Sequence, residues 1–183
     1  KDDRPGVGQL KQVIMIIISQ RLIVRALTYG QVIKYLQNDG SLEKELTLNI
    51  VPRSVDPELR EAVESVLLPN IAELCTDVLY STIWTVINTE KNVMVADLCF
   101  YGEPNKKGEV EIGYGTYPQY QGKGYMTEAV GMMVRWAEDR EEVKVIKARN
   151  EKENEASAKV LERNNFKIVA ETEDLFYWER AVK

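Results

Sequence analysis

Histidine is absent from all 183 residues. That removes Ser-His-Asp and Cys-His nucleophile activation, and any His-ligated zinc site built from this chain's own residues. Proton transfer must then use carboxylates, lysine, tyrosine, cysteine, hydroxyls or water. Cysteine is scarce. The two present, Cys75 and Cys99, lie far apart, have no metal or redox spacing, and read as core residues in a reduced compartment. Long apolar runs are missing as well. Val13–Ile18 falls far short of the roughly 20 residues of a membrane helix, and Ser19, Gln20 and Arg21 interrupt it. No signal peptide fits, so a cytoplasmic protein without a membrane partner is expected. Positive charge is in deficit: 24 Lys and Arg face 29 Asp and Glu, a net charge of −5. Such a balance argues against nucleic acid as a partner, because phosphate backbones call for a basic surface.

What remains is an ordinary globular composition, 44% apolar and 29% charged. The expected organisation is an N-terminal extension over residues 1–12 followed by one domain over 13–183. Ile14–Leu27 reads as a first strand, and a helix runs from Thr28 to about Gln37, ending near Asn38-Asp39-Gly40. Asp56-Pro57-Glu58 starts another helix, with Asp as N-cap and Pro in the first turn. Its apolar stripe is Leu59, Val63, Val66 and Leu67, and Pro69 ends or kinks it. Tyr80–Asn88 and Val93–Tyr101 form a hairpin, and Lys107–Thr116 a further strand. Gly124–Glu138 is a helix, Val143–Ala148 a strand and Glu155–Asn164 a helix, with Phe166–Ala170 and Phe176–Arg180 as a closing pair. Early helices, a strand meander, then strand–helix–strand–helix–strand predict a mixed α/β (α+β) layer.

The most informative stretch is Tyr117-Pro118-Gln119-Tyr120-Gln121-Gly122-Lys123-Gly124-Tyr125-Met126. Before it, Val110, Ile112 and Tyr114 alternate with Glu109, Glu111 and Gly113, as in a strand. After it, Met126, Ala129, Val130, Met133, Trp136 and Ala137 recur at helical spacing. A glycine-punctuated turn from strand into helix points several N–H groups at one spot, and the helix dipole favours an anion there. The Walker and dinucleotide glycine patterns are both absent.

This stretch resembles the acyl-CoA pyrophosphate loop of the GCN5-related N-acetyltransferases (GNAT), Gln/Arg-x-x-Gly-x-Gly/Ala, with Gln121 first, Gly124 fourth and Met126 in place of the small sixth residue. Asn154–Phe166 resembles the Asn-x-x-Ser helix and Gly-Phe exit of the same family, most of all the branch containing ribosomal-protein N-terminal acetyltransferases. Asn165 stands where the family has Gly. The resemblance implies a GNAT-like, mostly antiparallel twisted sheet with helices on both faces and a splayed strand pair. It implies acetyl-CoA as cosubstrate, with no metal, held by Tyr114, Thr116, Tyr117, Gln121, Gly122, Lys123, Gly124, Tyr125, Met126 and Asn154. Many members carry a tyrosine acid seven residues after the Asn; here that position is Leu161, so Ser157 becomes the expected catalytic hydroxyl. Asn154 and Ser157 equally read as an N-cap and its N3 residue.

Glu111, mid-strand among apolar residues, is the expected base, with Glu109 as runner-up. Burial would raise its pKa toward useful values; an ion pair with a lysine is the alternative. Nine acids lie between Asp39 and Asp77 (Asp39, Glu43, Glu45, Asp56, Glu58, Glu61, Glu64, Glu73, Asp77) against Lys44, Arg53 and Arg60. By resemblance this region walls the acceptor site, and an acidic wall suits an amine; a solvated helix face is the alternative. The expected activity is direct acetyl transfer from acetyl-CoA to a primary amine: a protein N-terminus, a polyamine or a small amino compound. The alternative is an acyl-CoA-binding regulatory domain without catalysis. The oligomeric state stays open, a homodimer included.

Overall fold

Ser19-Gln20-Arg21 turns the first apolar run back on itself. Ser19 N–H donates to the Leu22 carbonyl at 2.9 Å, and Leu22 N–H donates to Ser19 Oγ at 3.0 Å. The result is an antiparallel hairpin, β1 (Ile16–Ile18) and β2 (Leu22–Ala26), where the sequence suggested one strand over Ile14–Leu27. The polar triplet satisfies its own backbone, which makes a turn cheaper than an extended continuation. The computed structural model describes residues 14–55, 57–69 and 77–182. The expected N-terminal extension over 1–12, the Asp56 cap, the Glu58 side chain, Glu73 and Cys75 lie outside the described residues.

Helix α1 (Tyr29–Gln37) opens on a capping box: Gln31 N–H donates to Thr28 Oγ1 and Thr28 N–H to Gln31 Oε1, at 3.4 and 3.0 Å. Asn38, at φ 53°, closes it in the left-handed conformation that Asn tolerates. A short α2 (Ser41–Glu45), not anticipated from the sequence, follows Gly40. α3 (Pro57–Ala62) runs into a π turn over Val63–Leu67. The wider turn changes the residue period, so Val63 and Leu67 are buried while Val66, expected on the same stripe, is 44% exposed.

The remaining elements are β3 (Ile83–Asn88), β4 (Val93–Phe100), β5 (Glu109–Thr116), α4 (Tyr125–Glu138), β6 (Val145–Glu151), α5 (Glu155–Arg163), β7 (Lys167–Glu171) and β8 (Leu175–Ala181). The strands make one sheet in the order β1-β2-β3-β4-β5-β6-β8-β7. Every pairing is antiparallel except β5 with β6, which is parallel and covers only Glu109–Glu111 against Val145–Lys147. Beyond that, β5 stays on β4 and β6 stays on β8. The expected mostly antiparallel sheet with a splayed pair is therefore present.

Helices cover both faces. On one face α4 lies over β2, β4 and β5, with Trp136 edge-on to Trp84 at 5.3 Å between ring centroids. On the other, Tyr35 of α1 reaches Asp97 of β4, its hydroxyl donating at 2.7 Å. Among the described residues no helix is long and apolar enough to cross a membrane.

Behind Tyr35 sits a buried ion pair, Arg53 Nε to Glu43 Oε1 at 3.1 Å, with the side chains 0% and 3% exposed. Arg53 also donates to the Tyr35 carbonyl at 3.0 Å and stacks on its ring, 4.4 Å from the centroid. Truncating one member of such a pair strands a buried charge. Arg53→Met is expected to lower unfolding free energy by about 3 kcal/mol in urea titration, and Glu43→Leu combined with Arg53→Met to recover more than half of it. A single variant as stable as wild type would contradict this account.

Candidate active site

The parting of β5 from β6 exposes main-chain groups. Tyr101 N–H donates to the Glu111 carbonyl and Tyr117 N–H to the Val95 carbonyl, both at 3.0 Å, so Glu111, Gly113, Gly115 and Tyr117 turn their backbone toward β4. By strand alternation Ile112, Tyr114 and Thr116 turn theirs toward the gap, where β6 no longer pairs with them. Two clefts open there, one on each face, and both are lined by Tyr114, Gly115 and Thr116.

The first cleft, about 470 Å³, lies between the β5–α4 turn and α5. Of the residues expected to hold the cofactor, it brings together Tyr114, Thr116, Gln121, Gly122, Gly124, Tyr125, Met126 and Asn154, along with Ser157. Gly122 and Gly124 sit at φ 72° and 74°, the left-handed region that favours glycine. Gly124 is the N-cap of α4 and supplies no side-chain cap, so the first N–H groups of this helix face the cleft without an Asn or Thr partner of the kind α1 and α5 have. Asn154 caps α5, its Oδ1 accepting from Ser157 N–H at 3.0 Å. Lys159 and Arg163, one turn apart on α5, line the cleft, and no acid does among the described residues. The sequence reading passed over both, although i,i+4 cations on the helix after an Asn-x-x-Ser block mark one face.

Two expected cofactor residues stand elsewhere. Tyr117 is 6% exposed and lines the opposite cleft, because it shares the face of Gly113 and Gly115. Lys123 turns back from the turn, its ammonium donating to the Gln119 carbonyl at 3.2 Å and lying 5.3 Å from the Tyr120 ring centroid.

Ser157 has an unforeseen neighbour. Tyr114 Oη lies 3.0 Å from Ser157 Oγ and 3.2 Å from the Ser157 carbonyl. Burial pushes the Tyr114 phenol up to about 12, while the Ser157 hydrogen bond pulls the other way. The position expected for a helix tyrosine, Leu161, is fully buried.

The second cleft, about 760 Å³, is lined by Tyr35, Val55, Leu59, Asp97, Tyr101 and Arg149 among others. Asp97, 6% exposed, is the carboxylate at its floor. The sequence reading missed it, although one acid inside Val-Met-Val-Ala-Asp-Leu-Cys-Phe is a visible signal. Burial first, then the charge of Asp97, pushes the Tyr117 phenol well up. Cys99 also lines the cleft, and burial raises its thiol to about 12, which keeps it un-ionised at neutral pH. Tyr101 lies across Gly113: a Cβ there would come 2.8 Å from Tyr101 Cε2.

Of the acids expected to wall the acceptor site, Asp56, the Glu58 side chain and Glu73 lie outside the described residues, and the described ones do not wall it. Glu43 is buried against Arg53, Glu45 is paired with Lys34, Glu64 with Arg60 and Asp77 with Arg140. None of the described acids between residues 39 and 77 lines this cleft. Glu111 faces Arg149 instead of open space. Its Oε1 is buried 3.2 Å from Arg149 Nε, while the side chain as a whole is 36% exposed, so the isolated desolvated carboxylate expected of a base is not what the fold provides. Glu109, the runner-up, binds Lys147 and Asn105, and the Asn105 hydrogen bond and then Lys147 lower its carboxyl.

The sequence and the fold are similar to known proteins. Bacillus subtilis YjdG, an uncharacterized N-acetyltransferase, is 33% identical over 95 residues, and the alignment spans about half of each chain, 52% of this one and 56% of the relative. RimL, a ribosomal L7/L12 alpha-N-protein acetyltransferase solved in complex with coenzyme A, superposes with a TM-score of 0.65 at 20% identity, covering 91% of this chain and 98% of RimL. The spermidine/spermine N-acetyltransferase SpeG of Vibrio cholerae gives 0.62 at 16% identity, covering 90% and 95%. The acetyltransferase (GNAT) domain model matches residues 21–167, four-fifths of the sequence, and on that match the chain belongs to the GNAT acetyltransferase family.

Proposed function

We propose that the protein is an N-acetyltransferase that moves acetyl from the thioester of acetyl-CoA directly to a primary amine. The observation that carries this reading is the pair of clefts meeting at Tyr114–Thr116: among the described residues, the charged side chains lining one are the cations Lys159 and Arg163, and the other has a carboxylate at its floor. An anionic thioester and a cationic amine, approaching from opposite faces, would meet where β5 has left β6, beside the backbone of Tyr114 and Thr116, the Thr116 carbonyl accepting from the Gln121 amide at 3.4 Å. The pyrophosphate takes the N–H groups of Gln121–Tyr125, and the acyl arm runs along β5 past Asn154. A main-chain N–H of the gap polarises the acetyl carbonyl, a contribution of roughly 3 kcal/mol when such a donor meets developing negative charge. The ammonium first gives a proton to solvent, and the neutral nitrogen then attacks that carbon; the C–S bond breaks, the sulfur takes a proton from the Ser157–Tyr114 hydroxyl pair, and the second proton lost by the nitrogen returns to that pair through solvent. Orientation of the two reactants supplies much of the rate.

For the acceptor, the charged groups lining the cleft among the described residues, one carboxylate at the floor and one guanidinium at the rim, favour a single ammonium on a chain that also carries carbonyl or carboxylate groups. A peptide N-terminus or a small amino compound fits this better than a polyamine, which would call for several acids. The second reading, an acyl-CoA-binding domain without catalysis, is favoured by Leu161 at the expected tyrosine position. Free-thiol release on mixing acetyl-CoA with peptides, polyamines and small amines separates the two. Release with a peptide or small amine supports transfer, and CoA binding without any release supports the regulatory domain.

Ser157→Ala and Tyr114→Phe are each expected to lower kcat by about 10- to 100-fold while changing CoA affinity little, because the hydroxyl pair acts on the departing sulfur. Since the Tyr114 phenol holds its proton to about 12, it remains a donor throughout the neutral range, and the alkaline limb of the wild-type rate should not arise from it. Unchanged kcat in Ser157→Ala would reduce that residue to a part of the α5 cap.

Asp97→Asn is expected to raise the acceptor KM about tenfold or more, the effect of neutralising a buried partner of a charged ligand, and to leave CoA binding unaltered in calorimetry. Equal acceptor KM in the variant and wild type would remove Asp97 from the acceptor site and return Glu111 to consideration.

A further inference from the structure

Arg21 lies in the β1–β2 turn, about a hundred residues before the Gly122–Gly124 turn, yet its guanidinium reaches that turn at four points. Nε stands 2.5 Å from Glu128 Oε2, and Nη1 donates to the Lys123 carbonyl at 3.2 Å. Cζ is 5.0 Å from the Tyr125 ring centroid, and a Cβ added at Gly124 would come 3.4 Å from Nη2. Ser19 Oγ, from the same turn, donates to Glu128 Oε1 at 2.6 Å. Glu128 belongs to the first turn of α4, and its N–H donates to the Gly124 carbonyl at 3.2 Å. Partial burial pushes the Glu128 carboxyl up, but hydrogen bonds from Ser19 and Arg21 outweigh that and leave it lowered. It is therefore a persistent negative charge.

A carboxylate in the first helical turn competes for the same positive end that a phosphate would use. Left alone, Glu128 would repel a polyanion at the uncapped N-terminus of α4. Arg21 is placed to cancel that charge, and it also binds the Lys123 carbonyl, which otherwise would present a second negative dipole beside the anion. Its side chain remains 45% exposed, so the cation stays within reach of a ligand in the turn.

We propose that Arg21 is the charge-balancing, positioning residue of the phosphate turn, and that the β1–β2 hairpin thereby sets the affinity of the α4 N-terminus for the pyrophosphate of coenzyme A. The inference rests on the placement of that pyrophosphate at Gln121–Tyr125 proposed above. A purely mechanical tie between hairpin and turn would behave differently, because either partner's removal would break it equally.

The test is calorimetric titration of the full chain with coenzyme A for wild type, Arg21→Ala, Arg21→Lys, Glu128→Gln, the Arg21→Ala/Glu128→Gln double variant and Gly124→Asp. Charge balancing predicts Arg21→Ala about tenfold weaker and Glu128→Gln no weaker than wild type. The double variant should return to within about threefold of wild type, and Arg21→Lys should keep most of the affinity. The dependence of Kd on salt should also be shallower in Arg21→Ala. Glu128→Gln as weak as Arg21→Ala, or a double variant no better than Arg21→Ala, would overturn the proposal in favour of a mechanical tie. Equal affinity in all the Arg21 and Glu128 forms would overturn it outright. If Arg21→Ala does not fold, Arg21→Lys and Glu128→Gln still decide by the same signs. Gly124→Asp separates the two levels. Lost binding there upholds the pyrophosphate placement whatever Arg21 does, and retained binding overturns both.

Discussion

The rest of the molecule depends on the parting of two parallel strands after three residue pairs. A sheet normally satisfies every main-chain donor and acceptor in its interior, and a buried group left without a partner costs free energy. Here β5 keeps β4 and β6 keeps β8, so the sheet divides into two halves joined at Glu109–Glu111 and Val145–Lys147. The gap is crossed by side chains instead of a ladder: Tyr114 from β5 meets Ser157 from α5. On the far side Trp178 Nε1 donates to Asn150 Oδ1 at 2.6 Å, and Asn150 in turn donates to the Glu151 and Asn154 carbonyls. These bonds hold the α5 N-terminus at the opening. The fold thus keeps a pair of main-chain positions available to a ligand while anchoring both walls around them.

Charge is sorted across that gap, although the chain as a whole is acidic. Most of the described acids of the helical region are consumed by local cations, in pairs such as Glu45 with Lys34 and Glu64 with Arg60. Exposed pairs of this kind contribute little stability, on the order of 0–1 kcal/mol each. Their larger effect is to leave the clefts with few charges among the described residues: Lys159 and Arg163 on one side, Asp97 at the floor and Arg149 at the rim on the other. Inside a cleft of low dielectric one such charge weighs more than several on the surface. Net charge accordingly says little about the character of either cleft.

Sequence legibility followed the range of the interactions. The turn at Gln121–Tyr125, the α4 stripe and the Asn154 cap all rest on contacts within a few residues, and they were readable as glycine spacing, helical period and an Asn before a helix. The β1–β2 hairpin was readable in part, since Ser19, Gln20 and Arg21 were visible as an interruption. Its use as a turn depends on Ser19 bonding Leu22, and as a neighbour of the phosphate turn on Arg21 reaching Glu128, 107 positions away. The π turn at Val63–Leu67 shifts a stripe by one residue, which no fixed period anticipates. Asp97 was hidden for a different reason: a lone acid in an apolar strand has meaning only when the facing helix is known, here through Tyr35. Glu111 failed as an isolated carboxylate because its neighbour Arg149 comes from β6, a strand adjacent only by the parallel pairing.

Leu161 shows how a missing residue can mislead when chemistry is tied to a sequence position. A departing sulfur needs a proton within hydrogen-bond reach, and the element that delivers it is immaterial. On the proposed placement of the cofactor, its sulfur end would be bordered by α5 on one side and by β5 on the other. A tyrosine on β5, two residues before the strand ends, reaches the same hydroxyl that a tyrosine on α5 would approach from the helix. The leucine then completes the core beneath α5, where it is fully buried, and the phenol stands in the gap. On the proposed transfer the Tyr114–Ser157 hydroxyl pair would serve the sulfur in place of a helix tyrosine, which weighs against Leu161 as a sign of lost catalysis.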